Sequence, residues 1–216
     1  MHTKAIVADD HPLFRSAMKL AVAGMLGSGI LEAASFGETL SLLETNPDVE
    51  LIFLDLKMPG NKGLTGLTTI RSWYPDILVV IVSAEEDPDL IRKAIDFGAS
   101  AFIPKSTPLP TIADAVRLIL DGEQWLPTDM LNQIEKLENP NELEFASRLA
   151  LLTPHQFRVL KMMADGLLNK QIAYELSVSE STIKQHVSAV LHKLNFNNRT
   201  QAGVLFKQVM GVEQLN

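Results

Sequence analysis

The sequence predicts an α/β domain built on a five-stranded, parallel, doubly wound sheet, followed by a small all-α domain of four helices. Three observations carry this. Short apolar runs alternate with amphipathic segments of helical length through the first 121 residues, the pattern of a parallel sheet covered on both faces. Two of the runs, 51–54 and 77–82, are apolar throughout, as strands buried on both faces require. Beyond Leu151 the strand-like runs cease and helical periodicity takes over.

Taken in order, strands are expected near 4–9, 30–34, 50–55, 77–82 and 100–103, and helices near 12–25, 37–45, 64–73, 87–97 and 108–121. The helices rest on spacings such as Leu90, Ile91, Ala94, Ile95 and Ile112, Val116, Ile119, Leu120. Gly122 and Pro127 then punctuate the chain, and Met130, Leu131, Ile134 and Leu137 recur at helical spacing before Asn139-Pro140. This reads as a linker with one short helix. Four helices follow, near 153–165, 169–176, 179–194 and 199–210. Thr153, Pro154 and Gln156 form a capping-box start for the first of them. The expected division is a first domain over 1–121, a linker over 122–150 and a helical domain over 151–216.

Composition narrows the classes. With 46% apolar and 21% charged residues, the chain is neither disordered nor fibrous. It has no cysteine, which excludes disulfides and thiolate metal sites and fits a reducing compartment. The longest apolar stretch, Ile77 to Val82, is far short of the ~18 residues of a membrane span. The chain opens directly into a strand-like run without an apolar leader pattern, so a cytoplasmic location and no membrane partner are expected. Charge divides unevenly. Residues 1–127 hold 10 Lys/Arg against 17 Asp/Glu, residues 128–150 hold 2 against 5, and residues 151–216 hold 7 against 4. A mildly basic end on an acidic body permits nucleic-acid binding, although on charge alone an ordinary small domain is the simpler reading.

Five polar side chains follow the apolar runs: Asp9 and Asp10 after Ala5 to Ala8, Asp55 after Leu51 to Leu54, Ser83 after Ile77 to Val82, and Lys105 after Ala101 to Pro104. On parallel strands they converge at one sheet edge, where open α/β folds hold their chemistry. Three neighbouring carboxylates stay ionised cheaply only with a cation among them, and the expected one is hard and divalent, such as Mg²⁺. His11 sits beside the acidic pair and matches no required role; a helix-start or surface histidine is the simpler reading, and metal ligation the lesser one.

The strings Ala8-Asp9-Asp10-His11, Phe53-Leu54-Asp55-Leu56-Lys57-Met58-Pro59-Gly60, Val82-Ser83-Ala84 and Phe102-Ile103-Pro104-Lys105 resemble the receiver domain of bacterial two-component response regulators, with its flavodoxin-like fold. The resemblance implies that Asp55 accepts a phosphoryl group from a sensor histidine kinase. It further implies that Asp9, Asp10, Asp55 and the Lys57 carbonyl hold Mg²⁺, that Ser83 and Lys105 bind the phosphoryl oxygens, and that Phe102 is the switch aromatic. Chemically, a carboxylate attacking an anionic phosphoryl donor needs metal and ammonium to neutralise the transferring group and align it.

In the helical region, Asn169 to Ala173 and Leu176 form a short helix, and Val178-Ser179 is a tight connection to a longer one ending at Leu194, a helix-turn-helix pattern. Ile183, Val187, Val190, Leu191 and Leu194 make its buried stripe, leaving Ser181, Lys184, Gln185, Ser188 and His192 on other faces. The strings Leu152-Thr153-Pro154, Asn169 to Ala173, Ser179 to Val187 and Lys193-Leu194, with Arg199 to Ala202, resemble the DNA-binding domain of the NarL/FixJ/LuxR class. This implies base contacts by Lys184, Gln185 and Ser188, phosphate contacts by Asn169, Lys170, Thr182 and Arg199, and a homodimer on paired half-sites. It makes RNA polymerase a further candidate partner. The last helix, with Ala202, Leu205, Phe206 and Val209, resembles the family's dimerisation surface. Three departures stand out: Gln156 and Arg158 replace acidic residues, and Asn195 replaces a glycine.

Together these readings imply a phosphorylation-controlled transcription regulator, not a turnover enzyme. One alternative is a DNA-binding dimer that ignores phosphorylation. Another is a phosphohydrolase of the haloacid dehalogenase type, disfavoured because the general-acid aspartate such enzymes carry two residues after the nucleophile is here Lys57.

Overall fold

A computed structural model describes residues 4–27, 29–134, 137 and 139–211. The chain forms two compact units that divide between Glu138 and Asn139.

The first unit alternates strands β1 (Lys4–Ala8), β2 (Ile30–Ala33), β3 (Val49–Asp55), β4 (Leu78–Ser83) and β5 (Ala101–Pro104) with helices α1 (Pro12–Leu26), α2 (Phe36–Thr45), α3 (Thr65–Trp73), α4 (Pro88–Asp96) and α5 (Leu109–Leu120). All strands pair in parallel, in the order β2-β1-β3-β4-β5. Because side chains alternate across a strand, Ala5, Val7, Leu51, Phe53, Val80, Val82, Ala101 and Ile103 share one face. Met18, Val22 and Leu26 of α1 and Ile112, Val116 and Ile119 of α5 cover it. Ile6, Ile52, Leu54, Val79, Ile81 and Phe102 have the opposite parity and are equally buried. Each large side chain buried in this way contributes roughly 1.5–3 kcal/mol of transfer free energy.

Local chemistry starts the helices where the sequence indicates. Ser35 caps α2 by accepting from the Glu38 amide, while Glu38 Oε2 accepts from Ala34 N at 2.7 Å. Asp87 caps α4 ahead of Pro88. After α5 the chain runs back along β5: Trp125 bridges Ala101, and its carbonyl accepts from Phe102 N at 3.3 Å. A short helix α6 (Leu131–Ile134) follows. The expected linker helix included Leu137; Glu135, Lys136 and Glu138 lie outside the described residues.

The second unit holds α7 (Pro140–Leu149), α8 (Pro154–Ala164), α9 (Asn169–Glu175), α10 (Glu180–Leu194) and α11 (Arg199–Val209). Its helices after 151 follow the expected pattern, but the unit begins at Asn139 rather than Leu151, with a fifth helix that the linker reading lacks. The reason is packing: α7 buries Phe145, Ala146 and Leu149, and the Phe145 ring meets the edge of Phe196 at 6.2 Å. The capping box of α8 forms as the sequence indicates, with Gln156 N donating to Thr153 Oγ1 at 3.3 Å and Thr153 N donating to Gln156 Oε1 at 3.1 Å. Asn195 ends α10 with φ 60° and ψ 41°, a left-handed cap that asparagine tolerates nearly as well as the expected glycine.

Ser177, in the turn between α9 and α10, is also left-handed, at φ 53°. A Cβ-bearing residue there costs roughly 1–2 kcal/mol, partly offset against glycine's larger loss of chain entropy. Ser177→Gly is expected to raise the unfolding free energy by about 0.5 kcal/mol, checked by urea denaturation at constant slope.

Candidate functional site

The strand register gathers the polar residues of the first unit. Ala8 stands beside Leu54, Asp55 beside Val82, and Ser83 beside Pro104, so Asp9, Asp55, Ser83 and Lys105 emerge together at the carboxyl end of the sheet. Asp9, Asp55 and Ser83 are almost wholly buried. The Lys105 ammonium lies 2.7 Å from Asp9 Oδ2 and 3.0 Å from Asp55 Oδ2, and 5.1 Å above the Phe14 ring. Burial opposes the lysine's charge, but its bonds to Asp9 and Asp55 and their negative field outweigh that, so its pKa is raised.

Backbone groups complete the pocket. Lys57 N donates to Asp55 Oδ1 at 3.1 Å, Glu85 N donates to Ser83 Oγ at 3.0 Å, and Lys105 N donates to the Ser83 carbonyl at 2.8 Å. Gly60 turns the loop after Asp55 at φ +83°, a conformation open to glycine. Phe102 is fully buried, on the face opposite to Ala101 and Ile103.

Three supporting residues have no strong sequence signal. Asn61 Nδ2 donates to the Asp55 carbonyl at 3.0 Å while its Oδ1 accepts from Gly66 N at 2.9 Å, tying the acceptor strand to α3. A Cβ at Gly66 would stand 2.6 Å from that oxygen. Arg15 donates to the Asp9 carbonyl at 2.7 Å and to Glu32 Oε2 at 3.0 Å. His11 precedes α1 as expected, yet its Nδ1 lies 3.1 Å from Asp9 Oδ1 and 2.6 Å from Asp10 Oδ1. The structure thus brings it to the acidic cluster.

The cluster fits a hard cation. Asp9, Asp10, His11 and Asp55 each offer a ligand atom within 4.8 Å of the others, and the charge of Asp9 and Asp10 is met here by Lys105 at 2.7 Å and His11 at 2.6 Å. A carboxylate oxygen has more than one lone pair, so three carboxylates converging this closely suit a hard cation.

In the second unit, Lys184, Gln185 and Ser188 are exposed on α10 while Ile183, Val190 and Leu194 are buried. Lys184 pairs with Glu180 at 3.2 Å one turn back, a surface contact worth little and easily exchanged. Ser179 caps α10 through the Thr182 amide, and its hydroxyl lies 2.8 Å from that of Thr182. Lys170 is exposed at the start of α9. Arg199 and Asn169 are brought together but engaged inward: the guanidinium donates to Asn169 Oδ1 at 3.0 Å and to the Leu167 carbonyl at 2.5 Å. Ala202, Phe206 and Val209 are buried, with Phe206 edge-on to Phe157 of α8 at 5.9 Å. Three of the four residues read as a dimerisation surface therefore serve the unit's own core, while Leu205 is half-buried. Val204 is the exposed apolar residue of α11.

Two family models match the chain: the response regulator receiver domain over residues 5–117, and the luxR family of bacterial regulatory proteins over residues 150–206. The chain belongs to the two-component response regulators that join a receiver to a LuxR-type helix-turn-helix, and members of this class regulate transcription by binding DNA. Among particular proteins, it is 45% identical over 204 residues to the glycerol metabolism activator of Pseudomonas putida, covering 92% of each chain. It is 30% identical to the nitrate/nitrite response regulator NarL of Escherichia coli K12, covering 94% of each. A solved structure of the response regulator RcsB with DNA aligns over 97% of this chain and 99% of its own at a TM-score of 0.59 and 20% identity, a likeness of fold. Among the described residues no helix is long and apolar enough to cross a membrane.

Removing Lys105 would leave two buried carboxylates without their cation, a loss of about 3 kcal/mol. Since its pKa is raised, the stabilisation is complete below the ordinary lysine value of 10.5 and declines as the pH climbs through the raised value. Lys105→Met is therefore expected to lower metal-free stability at pH 7 and to flatten its fall in strong alkali, both read from denaturant titrations.

Proposed function

We propose that Asp55 is the phosphoacceptor of this regulator, taking a phosphoryl group from the phosphohistidine of a sensor kinase. The observation that carries this is the Lys105 ammonium placed against both Asp9 and Asp55 at the carboxyl end of the sheet. An Asp55 oxygen attacks phosphorus as the donor's P–N bond breaks, and the imidazole leaves. Asp9, Asp10, Asp55 and the Lys57 carbonyl would hold Mg²⁺, which when bound would supply neutralisation of the phosphoryl charge. Lys105 moves from ion pair to phosphoryl oxygen, and the Ser83 hydroxyl donates to a second oxygen. That inward pull on the β4 and β5 ends favours one packing of Phe102, whose lack of a hydroxyl leaves burial to set its preference.

The output is homodimeric binding to double-stranded DNA in the cytoplasm, with RNA polymerase as a further partner. Lys184, Gln185 and Ser188 read base edges, and Lys170, Thr182, Asn169 and Arg199 face phosphates. The exposure of the first three on one helix supports the reading. For Arg199 and Asn169, positioning the start of α9 comes with any phosphate contact, because their side chains already bind each other. The chain modifies itself and is not a turnover enzyme.

Incubation with a small-molecule phosphodonor and Mg²⁺ is expected to add one phosphoryl group to the wild type and none to Asp55→Ala, read by intact mass. Equal gain in both would remove Asp55 from the role. Lys184→Ala is expected to cost about 1–3 kcal/mol in binding to a selected DNA sequence. A loss uniform across unrelated sequences would reassign the lysine to the phosphate backbone.

A further inference from the structure

Between the two family models lies a stretch, 118–149, that neither describes. Within it, α7 belongs to the DNA-binding unit and is built against the far end of the recognition helix. Phe145 packs edge-on against Phe196, which follows directly on the Asn195 cap of α10. Arg148, steadied by Glu144 at 2.7 and 3.0 Å, extends Nη1 to the Lys193 carbonyl at 3.4 Å. Lys193 reaches back in turn, donating to the Leu151 carbonyl at 2.9 Å and to Gln156 Oε1 at 2.7 Å. The last turn of α10 is thus held from α7, from the α7–α8 turn and from the first turn of α8.

Physically this is the right place for a clamp. The final carbonyls of a helix lack partners within it, and a cation there complements the helix dipole. Position matters as well. Lys184 lies nine residues before Lys193, about 14 Å along a helix axis. A tilt of ~5° at the clamped end shifts Lys184 by ~1 Å, beyond the ~0.5 Å that a preorganised contact tolerates.

We propose that α7 is a positioning element for DNA recognition, with Phe145 and Arg148 setting the tilt of α10 through its C-terminal turn. The chain leaving the receiver reaches the DNA-binding unit first at α7, so the linker bears directly on the helix that reads bases. The inference rests on the reading of Lys184 as a base contact.

The test uses the full chain and two duplexes, a selected binding sequence and its scrambled counterpart, titrated over a range of salt concentrations. Phe145→Ala is expected to weaken binding to the selected duplex tenfold or more, and Arg148→Met at least threefold. Affinity for the scrambled duplex and its salt slope should stay within twofold of wild type, and Arg148→Lys should recover most of the loss. Arg148 is half-exposed, so its replacement leaves the core intact should Phe145→Ala fail to fold. A loss below threefold in Arg148→Met, or equal losses on both duplexes, overturns the proposal. Lys184→Ala, measured alongside, separates the two ideas: if it loses affinity equally on both duplexes and still discriminates between them as the wild type does, the base-contact reading has failed instead.

Discussion

The placement of one ammonium group constrains the whole receiver. Two carboxylates that are 1% and 2% exposed repel each other strongly in a low-dielectric setting, and a cation between them is what makes their burial tolerable. Lys105 comes from β5, while its partners sit on β3 and beyond β1 in the order β2-β1-β3-β4-β5. Strands are ~4.8 Å apart, so the gap is about 10 Å to one backbone and 14 Å to the other. The long lysine side chain and the two carboxylates reaching toward it close the gap, to 2.7 and 3.0 Å. The register of three strand pairs, the length of the strands and the hand of the crossovers all have to be right for that distance to close. The fold and the site are therefore one constraint.

The second unit divides its polar and apolar surfaces in a comparable way. Along α10 the buried stripe faces α8 and α9, which frees Lys184, Gln185 and Ser188 for a partner. The turns around it are fixed by left-handed residues at both ends, Ser177 and Asn195, and by the Arg199 contacts to Asn169 and Leu167. The helix that does the reading is thereby anchored at its entry, along its stripe and at its exit.

Much of this was legible in the sequence because it depends on short-range pattern. Apolar runs ending in Asp9, Asp55, Ser83 and Lys105 told both the strands and the site, since parallel strands bring their ends together. Capping residues such as Thr153 with Gln156 fixed where helices begin. What stayed hidden depends on contacts distant in sequence. Nothing local marks Asn61 as the bond between Asp55 and α3, or Arg15 as the group behind the Asp9 carbonyl. The helix α7 is hard to see in the sequence because Asn139-Pro140 looks like a helix end, whereas Asn139 caps α7 and Pro140 stands in its first turn. The stripe of Ala202, Phe206 and Val209 was visible, but periodicity gives a face without saying whether that face meets α8 or another chain.

The bridge between Trp125 and β5 bears on solubility. Strand β5 is the outer strand of the sheet on the side that carries Lys105, and an uncovered outer strand of apolar residues invites pairing with other chains. The Trp125 carbonyl occupies the Phe102 amide and its backbone lies along Ala101. The receiver's natural end is therefore past Trp125, because the segment that leads out of the domain is also what shields its edge from aggregation.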